Sequence, residues 1–233
     1  MKVAIYQMED RGDARRNIEQ AYKIIIQTEA DFFVLPEFFA IPGGDFKKKY
    51  GLEKCWQVTG RPTLEMLKEA SYHFGGYIIG GSILEKAPEG YYNTCHVFKN
   101  GQLVAKYRKI NITKEEVELG ISRGRETVCF DTPFGRVGLL ICADCIYEET
   151  TDKVASKSDF VFLPVSLTDP NHPKFEGHPI STQISQKHGV SVIKVTRVGT
   201  FGGKKLASKS AVTMPSGVIF EAGEEEELAI IEI

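Results

Sequence analysis

An α/β protein built on mixed sheets is what this sequence predicts, and three observations predict it. Strand-like and helix-like apolar patterns alternate along the whole 233-residue chain. Some neighbouring strands are joined by tight-turn signals, which make antiparallel hairpins, while others are separated by helical stretches suited to crossovers. No internal repeat and no linker breaks the pattern, so 1–233 reads as one domain.

Lys2–Gln7 is a β-rich opening. In Asp13–Thr28 the residues Ile18, Ala21, Tyr22, Ile25 and Ile26 form one apolar stripe at helical spacing. Phe32–Leu35 is wholly apolar, as a strand buried on both faces must be, and Pro36 stops it. Pro62 opens a second helix with Leu64, Leu67 and Phe74 on one side, and Gly75-Gly76 ends it. Tyr77–Gly80 is another buried run. Tyr92–Lys99 and Gln102–Tyr107 flank Asn100-Gly101, a strong hairpin signal. Thr127–Asp131 and Arg136–Ile141 flank the turn Pro133-Phe134-Gly135. A helix near Glu148–Ser156, the strand Phe160–Leu163, a helix over Ile180–His188 ending at Gly189, and the strand Ser191–Thr196 follow. Strands near Ser210–Met214 and Leu228–Ile233 bracket the turn Pro215-Ser216-Gly217. Ile41–Tyr50 and Asp169–Gly177 read as irregular loops, which in a small domain often line sites.

With 42% apolar and 26% charged residues, the composition is neither disordered nor fibrous. A formal charge of −2 leaves no electrostatic footprint for nucleic acid. The apolar stretch after Met1 is too short for a signal-peptide core, and runs such as Val137 to Ala143 are too short to span a bilayer. A soluble cytoplasmic protein with no membrane partner is expected. Five scattered cysteines (Cys55, Cys95, Cys129, Cys142 and Cys145) fit a reducing compartment, each thiol being packing or chemistry.

Three reactive residues stand just beyond the carboxyl ends of expected strands, where α/β folds gather ligands: Glu37, Lys109 and Cys142. Singly, each has an ordinary reading as surface charge or core filler. Together they form a complete chemical set. A carboxylate can take the thiol proton, the thiolate can attack carbon, and an ammonium can stabilise the developing oxyanion.

The segments Leu35-Pro36-Glu37-Phe38-Phe39, Tyr107-Arg108-Lys109-Ile110-Asn111 and Gly138-Leu139-Leu140-Ile141-Cys142-Ala143-Asp144 resemble the three signature blocks of the nitrilase (carbon–nitrogen hydrolase) superfamily. They come in the family's Glu, Lys, Cys order, 72 and 33 residues apart. The resemblance covers nearly the whole chain and implies a four-layer αββα sandwich with mixed β-sheets, in a near-minimal form closing at Leu228–Ile233. It further implies a homodimer or higher homo-oligomer and hydrolysis of a small amide, nitrile or carbamoyl compound without metal or organic cofactor. Glu37 would be general base, Lys109 electrophilic stabiliser and Cys142 nucleophile, with the Ala143 backbone N–H completing the oxyanion hole. A second family glutamate falls among Glu115, Glu116 and Glu118, the spacing favouring Glu116. Substrate specificity would come from Ile41–Tyr50, Ser166–Gly177 (Ser166 as a substrate contact) and Thr196–Phe201. The chain departs from the family at Ala143, at Ile146-Tyr147-Glu148 and at Thr196-Arg197, which bears on the substrate and not on the reaction.

Acyl transfer to an amine is the alternative on this scaffold, and a non-catalytic binding or redox module using Cys142 and Cys145 is the alternative outside enzymes. The CxxC of Cys142 and Cys145 lacks a second ligand pair, and His172 and His178 fit no common zinc spacing. Gly80-Gly81-Ser82 lacks an esterase elbow frame and reads as a tight turn. Gly199, Gly202 and Gly203 with Lys204-Lys205 lack Walker spacing, and Glu224–Glu227 reads as a solvated turn.

Overall fold

The computed structural model describes residues 1–43, 46–167, 178–201, 204–206 and 208–233, with 46–50 and 201 described in backbone only. The Asp169–Gly177 loop, His172 and the pair Gly202-Gly203 lie outside the described residues.

Strand β1 (Lys2–Glu9) is where the halves of the fold meet. Its residues 2–7 pair with one set of strands, and its last two, Met8 and Glu9, pair in parallel with Arg197 and Val198 of the other. A 14-stranded sheet therefore folds back on itself as two layers.

The first half runs β1, α1 (Ala14–Ile26), β2 (Phe32–Val34), α2 (Phe46–Cys55), one π turn (Trp56–Gly60), α3 (Arg61–Phe74), β3 (Tyr77–Ile79) and β4 (Ile83–Ala87). It continues through β5 (Gly90–Lys99), β6 (Gln102–Arg108), α4 (Lys114–Glu118) and β7 (Ile121–Ser122). The second half runs β8 (Cys129–Thr132), β9 (Gly135–Leu139), a 3₁₀ turn (Cys142–Ile146), α5 (Glu148–Ala155), β10 (Phe160–Val165), α6 (Pro179–His188) and β11 (Ser191–Val198). A small ribbon, β12 (Thr200–Phe201) and β13 (Lys204–Lys205), precedes β14 (Ala211–Met214), β15 (Gly217–Glu221) and β16 (Glu227–Glu232).

Period-two alternation builds the layers. Val3, Ile5, Phe32, Val34 and Ile79 face inward and meet Val137, Leu139, Phe162, Ile193 and Val195 of the second layer. The intervening Ala4, Tyr6, Phe33, Leu35 and Ile78 face outward, against Ile18, Ala21 and Ile25 of α1 and Met66, Leu67 and Ala70 of α3. Both faces are thus buried, which is why these strands read as unbroken apolar runs. On the other side Val154 and Ala155 of α5 and Ile180 and Ile184 of α6 cover the second layer. The order is helix, sheet, sheet, helix. Asp13 caps α1 by accepting from the Arg16 N–H at 3.1 Å, and Asn100 (φ 50°) and Gly101 (φ 72°) make the expected hairpin between β5 and β6.

Three expectations need correction. Residues 46–50 are helical, part of α2, whose kink falls at Gly51 (φ 67°); without an apolar stripe its polar sequence carried no helix signal. The turn at Pro215-Ser216 leads into β15, whereas the final strand crosses back to pair antiparallel with β1. Nor is the acidic run only solvated: Glu226 accepts from the Tyr6 hydroxyl at 2.6 Å and pairs with Arg11, tying the last strand to the first. Among the described residues no helix is long and apolar enough to cross a membrane.

Candidate active site

Glu37 stands three residues beyond β2. It is 3% exposed and bridges to Ser82, just before β4. The chain turns sharply here: Phe38 has φ 50°, and its N–H donates to the Ser82 carbonyl at 3.0 Å. Gly81 makes the approach possible. It has φ 57°, and a Cβ there would lie 2.0 Å from the Pro36 carbonyl oxygen. Gly81→Ala is therefore expected to destabilise by about 1–2 kcal/mol from φ alone. Pushing the Glu37 seat aside should lower activity further, as thermal melts and rate assays on one sample will measure. From the other layer, buried Arg197 donates Nη1 to the carbonyls of Phe38 (3.1 Å) and Ile41 (2.8 Å). The Thr196-Arg197 departure thus braces the loop after Glu37, and Thr196 turns away to donate to Ser208 O at 2.8 Å.

Lys109 follows β6, its N–H donating to Asn93 O at 2.9 Å. Its side chain is 1% exposed, and Nζ donates to Glu37 Oε1 and Glu116 Oε2, each at 2.9 Å. Asn93 Nδ2 joins the same carboxylates from β5, donating to Glu37 Oε1 at 2.9 Å and Glu116 Oε1 at 2.7 Å. Of the candidate glutamates, the structure brings Glu116 to this group, because α4 begins with a capping box. The Thr113 hydroxyl accepts from the Glu116 N–H, and the Glu116 carboxylate accepts from the Thr113 N–H. Burial opposes ionisation of Glu116, yet Lys109 and these hydrogen bonds hold its carboxyl below the usual range. Burial also opposes the Lys109 charge, but Glu37, then Cys142 and Glu116, hold its pKa well above the usual value.

One residue earlier, Arg108 stacks over Tyr92 and, with Lys106, grips Glu85 on β4. Burial works against the Glu85 charge, but Arg108, Lys106 and Thr94 hold its pKa down to about 2. A depressed carboxyl pKa stabilises the fold above the unfolded value of 4.5 and stops doing so as pH falls through the folded one. The stability gap between wild type and Glu85→Gln should therefore be full at pH 7 and close between about pH 4.5 and 2, as denaturant titrations will measure.

Cys142 opens the 3₁₀ turn after β9 with φ 44°, a strained conformation for a non-glycine residue and one found at functional turns. Asp144, fully buried, fastens the turn. Its carboxylate accepts from the N–H of Ile141 (3.0 Å), the N–H of Asn111 (2.8 Å), Asn111 Nδ2 (3.1 Å) and the Tyr107 hydroxyl (2.7 Å). The Lys109 and Cys142 segments are thereby locked together. Burial pushes the Cys142 thiol well up and Glu37 adds to this, against the opposing pull of Lys109 and of the Ser166 backbone N–H. The Cys142 sulfur thus lies in the field of both the Glu37 carboxylate and the Lys109 ammonium. Ala143 follows it on the turn. Ser166 meets Cys142 through its backbone, and its hydroxyl has no hydrogen-bond partner among the described residues.

Sequence reasoning missed Asn93, Tyr107, Asp144 and Arg197 as parts of this assembly. Tyr107 and Asp144 stand inside the quoted blocks, which was the available signal. Asn93 and Arg197 become visible only through strand register. Cys145 is buried, and all five cysteines are free thiols. A cleft of about 370 Å³ between α5 and α6 is lined by Cys145, Ile146, Ile180 and Ile184, but by none of Glu37, Lys109, Glu116 or Cys142.

The family model described as carbon-nitrogen hydrolase matches residues 2–233. An omega-amidase from Homo sapiens is 34% identical over 169 residues, 67% of this chain and 59% of that protein. The chain thus spans little more than half the length of that relative. A nitrilase from Pyrococcus abyssi is 27% identical over 240 residues, covering 100% of this chain and 89% of its own. Among solved structures, an amidase from Nesterenkonia sp. shares the fold with a TM-score of 0.86 over 100% of this chain and 90% of its own, at 18% identity.

Proposed function

The chain belongs to the carbon–nitrogen hydrolase family, and on that premise we propose that it hydrolyses a small non-peptide amide, nitrile or carbamoyl compound through a thioester on Cys142. Glu37 takes the thiol proton as sulfur attacks the carbonyl carbon; a nitrile, attacked at its own carbon, gives a thioimidate that takes up one water to reach the same tetrahedral species. The oxyanion is met by Lys109 and the Ala143 N–H. As the tetrahedral species collapses, the carbon–nitrogen bond breaks and Glu37 returns the proton to the leaving amine. Glu37 then deprotonates water, which attacks the thioester to release the acid and restore the thiol. Glu116 holds Lys109 in place throughout, and Ser166 borders the acyl group.

The observation that carries this reading is the anchoring of Lys109. An ammonium has three donors, and Glu37 and Glu116 accept two at 2.9 Å each, which leaves the third for an oxyanion. Two buried carboxylates around one lysine also keep the group anionic overall, so that a base stands beside the thiol. The test is ammonia release from a panel of small amides and nitriles by the purified chain. Release with saturation kinetics supports the reading, and transfer to an added amine with none to water would replace it with acyl transfer.

The same reading includes one domain over 1–233, a reducing cytoplasmic setting for the free thiols, and a homodimer. Light scattering on a size-exclusion column gives the mass that tests it.

A further inference from the structure

Under the first turn of α6 lies a group of polar side chains that the chemistry at Cys142 does not use. Lys194 on β11 is 1% exposed, His178 is 4% exposed and Thr213 is fully buried. Among the described residues, Lys194 Nζ, His178 Nδ1 and Thr213 Oγ1 have no hydrogen-bond partner. A buried ammonium with none of its bonds made is strongly disfavoured, and lysine is almost never fully buried unless paired.

Strand register explains why these groups share a face. Lys194 stands opposite Ala211 of β14, and Ala211 opposite Glu221 of β15, so the three form one row across the sheet. Val192 and Thr213 form the next row, which makes Thr213 a diagonal neighbour of Lys194. Ala211 places only a methyl group between Lys194 and Glu221 on this row. Glu221 is itself engaged, by His178 Nε2 at 2.6 Å and Lys209 at 3.4 Å. The ten-residue helix α6 covers this face, and its first turn has no side-chain cap. The first-turn N–H groups that follow Pro179 therefore lack an intrahelical acceptor and carry the positive end of the helix dipole. Burial lowers the Lys194 pKa to about 8, with Cys145 and Glu221 opposing, and burial followed by the Lys194 charge lowers that of His178 against the pull of Glu221.

Of these unpartnered atoms Lys194 Nζ and Thr213 Oγ1 can donate, while His178 Nδ1 is left an acceptor by the Nε2–H bond to Glu221. A planar carboxylate can accept from Lys194 with one oxygen and from Thr213 or an α6 amide with the other. Glu221 on the same row repels a doubly charged oxyanion more than a singly charged one. We propose that this pocket binds a small monocarboxylate, held by Lys194, Thr213 and the first-turn amides of α6, at a site separate from Cys142. The inference stands apart from the proposed hydrolysis and is tested without turnover. Cys145, whose thiol senses Lys194, connects the pocket to the turn that carries Cys142.

The test titrates the full chain with sodium acetate at pH 7 against sodium chloride of equal ionic strength, read by calorimetry and melting temperature. One site is expected, raising the melting temperature by about 3–6 °C at ten times its dissociation constant. Lys194→Met should lose the acetate response, weakening affinity at least about tenfold, while melting no lower than wild type in chloride because an unpaired buried charge is gone. Thr213→Val should weaken binding with Lys194 intact, and decides the matter if Lys194→Met fails to fold. Cys142→Ala should keep the full response. An unchanged response in both pocket variants, loss of the response in Cys142→Ala, or a chloride response equal to that of acetate would overturn the site. Equal binding of inorganic phosphate would overturn the ligand class.

Discussion

Cys142→Ala is expected to lower amide turnover by about 10⁴–10⁶, to the level left by binding and oxyanion contacts alone. No other thiol can stand in. Cys145, three residues on, is buried, and burial with Asp144 pushes its thiol up to about 12. Its charge environment differs from that of Cys142: Lys194 is the first neighbour to oppose its upward shift, where Lys109 has that place for Cys142. The fold should survive the change, since the turn is fastened by Asp144 and not by the sulfur. Steady-state rates and a thermal melt on the same preparation check both halves. Retained turnover above about one percent, in a protein that still melts cooperatively, would remove Cys142 from the chemistry.

Lys109→Met should be costly in two separate ways. Loss of one oxyanion donor is expected to slow turnover by about 10²–10³. Loss of the cation bonded to both Glu37 and Glu116 strips two buried carboxylates of their shared ion pair, a change that typically destabilises by about 3–5 kcal/mol. The pH dependence separates this from ordinary loss of packing. Without Lys109 the buried carboxyls bind protons more readily folded than unfolded, so their folded pKa values rise above the unfolded ones. Stability is then lost as pH rises and recovered as it falls. The deficit relative to wild type should be smaller at pH 5 than at pH 8 in denaturant titrations. A deficit independent of pH would mean that Lys109 acts through packing alone.

What the sequence made legible, and what it hid, follows the range of the interactions. The apolar runs Val3–Ile5, Phe32–Val34 and Phe160–Val165 are visible because both faces of each strand are buried. Asn100-Gly101 and Gly75 are visible because backbone conformation selects their residue types. Glu37, Lys109 and Cys142 stand out because strands deliver reactive groups at their carboxyl ends. The helix α2 has no apolar stripe to betray it. The half-exposed β15 shows no clean alternation, with Val218 and Ile219 at 42% and 45% exposure. Asn93 reads as one polar residue in a hairpin strand, yet it is hydrogen-bonded to both site carboxylates. Arg197 and Lys194 are three residues apart on one strand, one bonded to the loop after Glu37 and one unpartnered among the described residues. Only register and the placement of distant loops assign those fates, and neither is written in local pattern.

A covalent acyl-enzyme on Cys142 would be visible by intact-mass spectrometry. The wild-type chain, incubated briefly with small amides and nitriles and quenched in acid, should gain the mass of the acyl group. Peptide mapping should place that mass on Cys142, and Cys142→Ala should show no gain. Turnover without an adduct under conditions that trap thioesters, or an adduct mapped to Cys145 with Cys142 unmodified, would contradict the account.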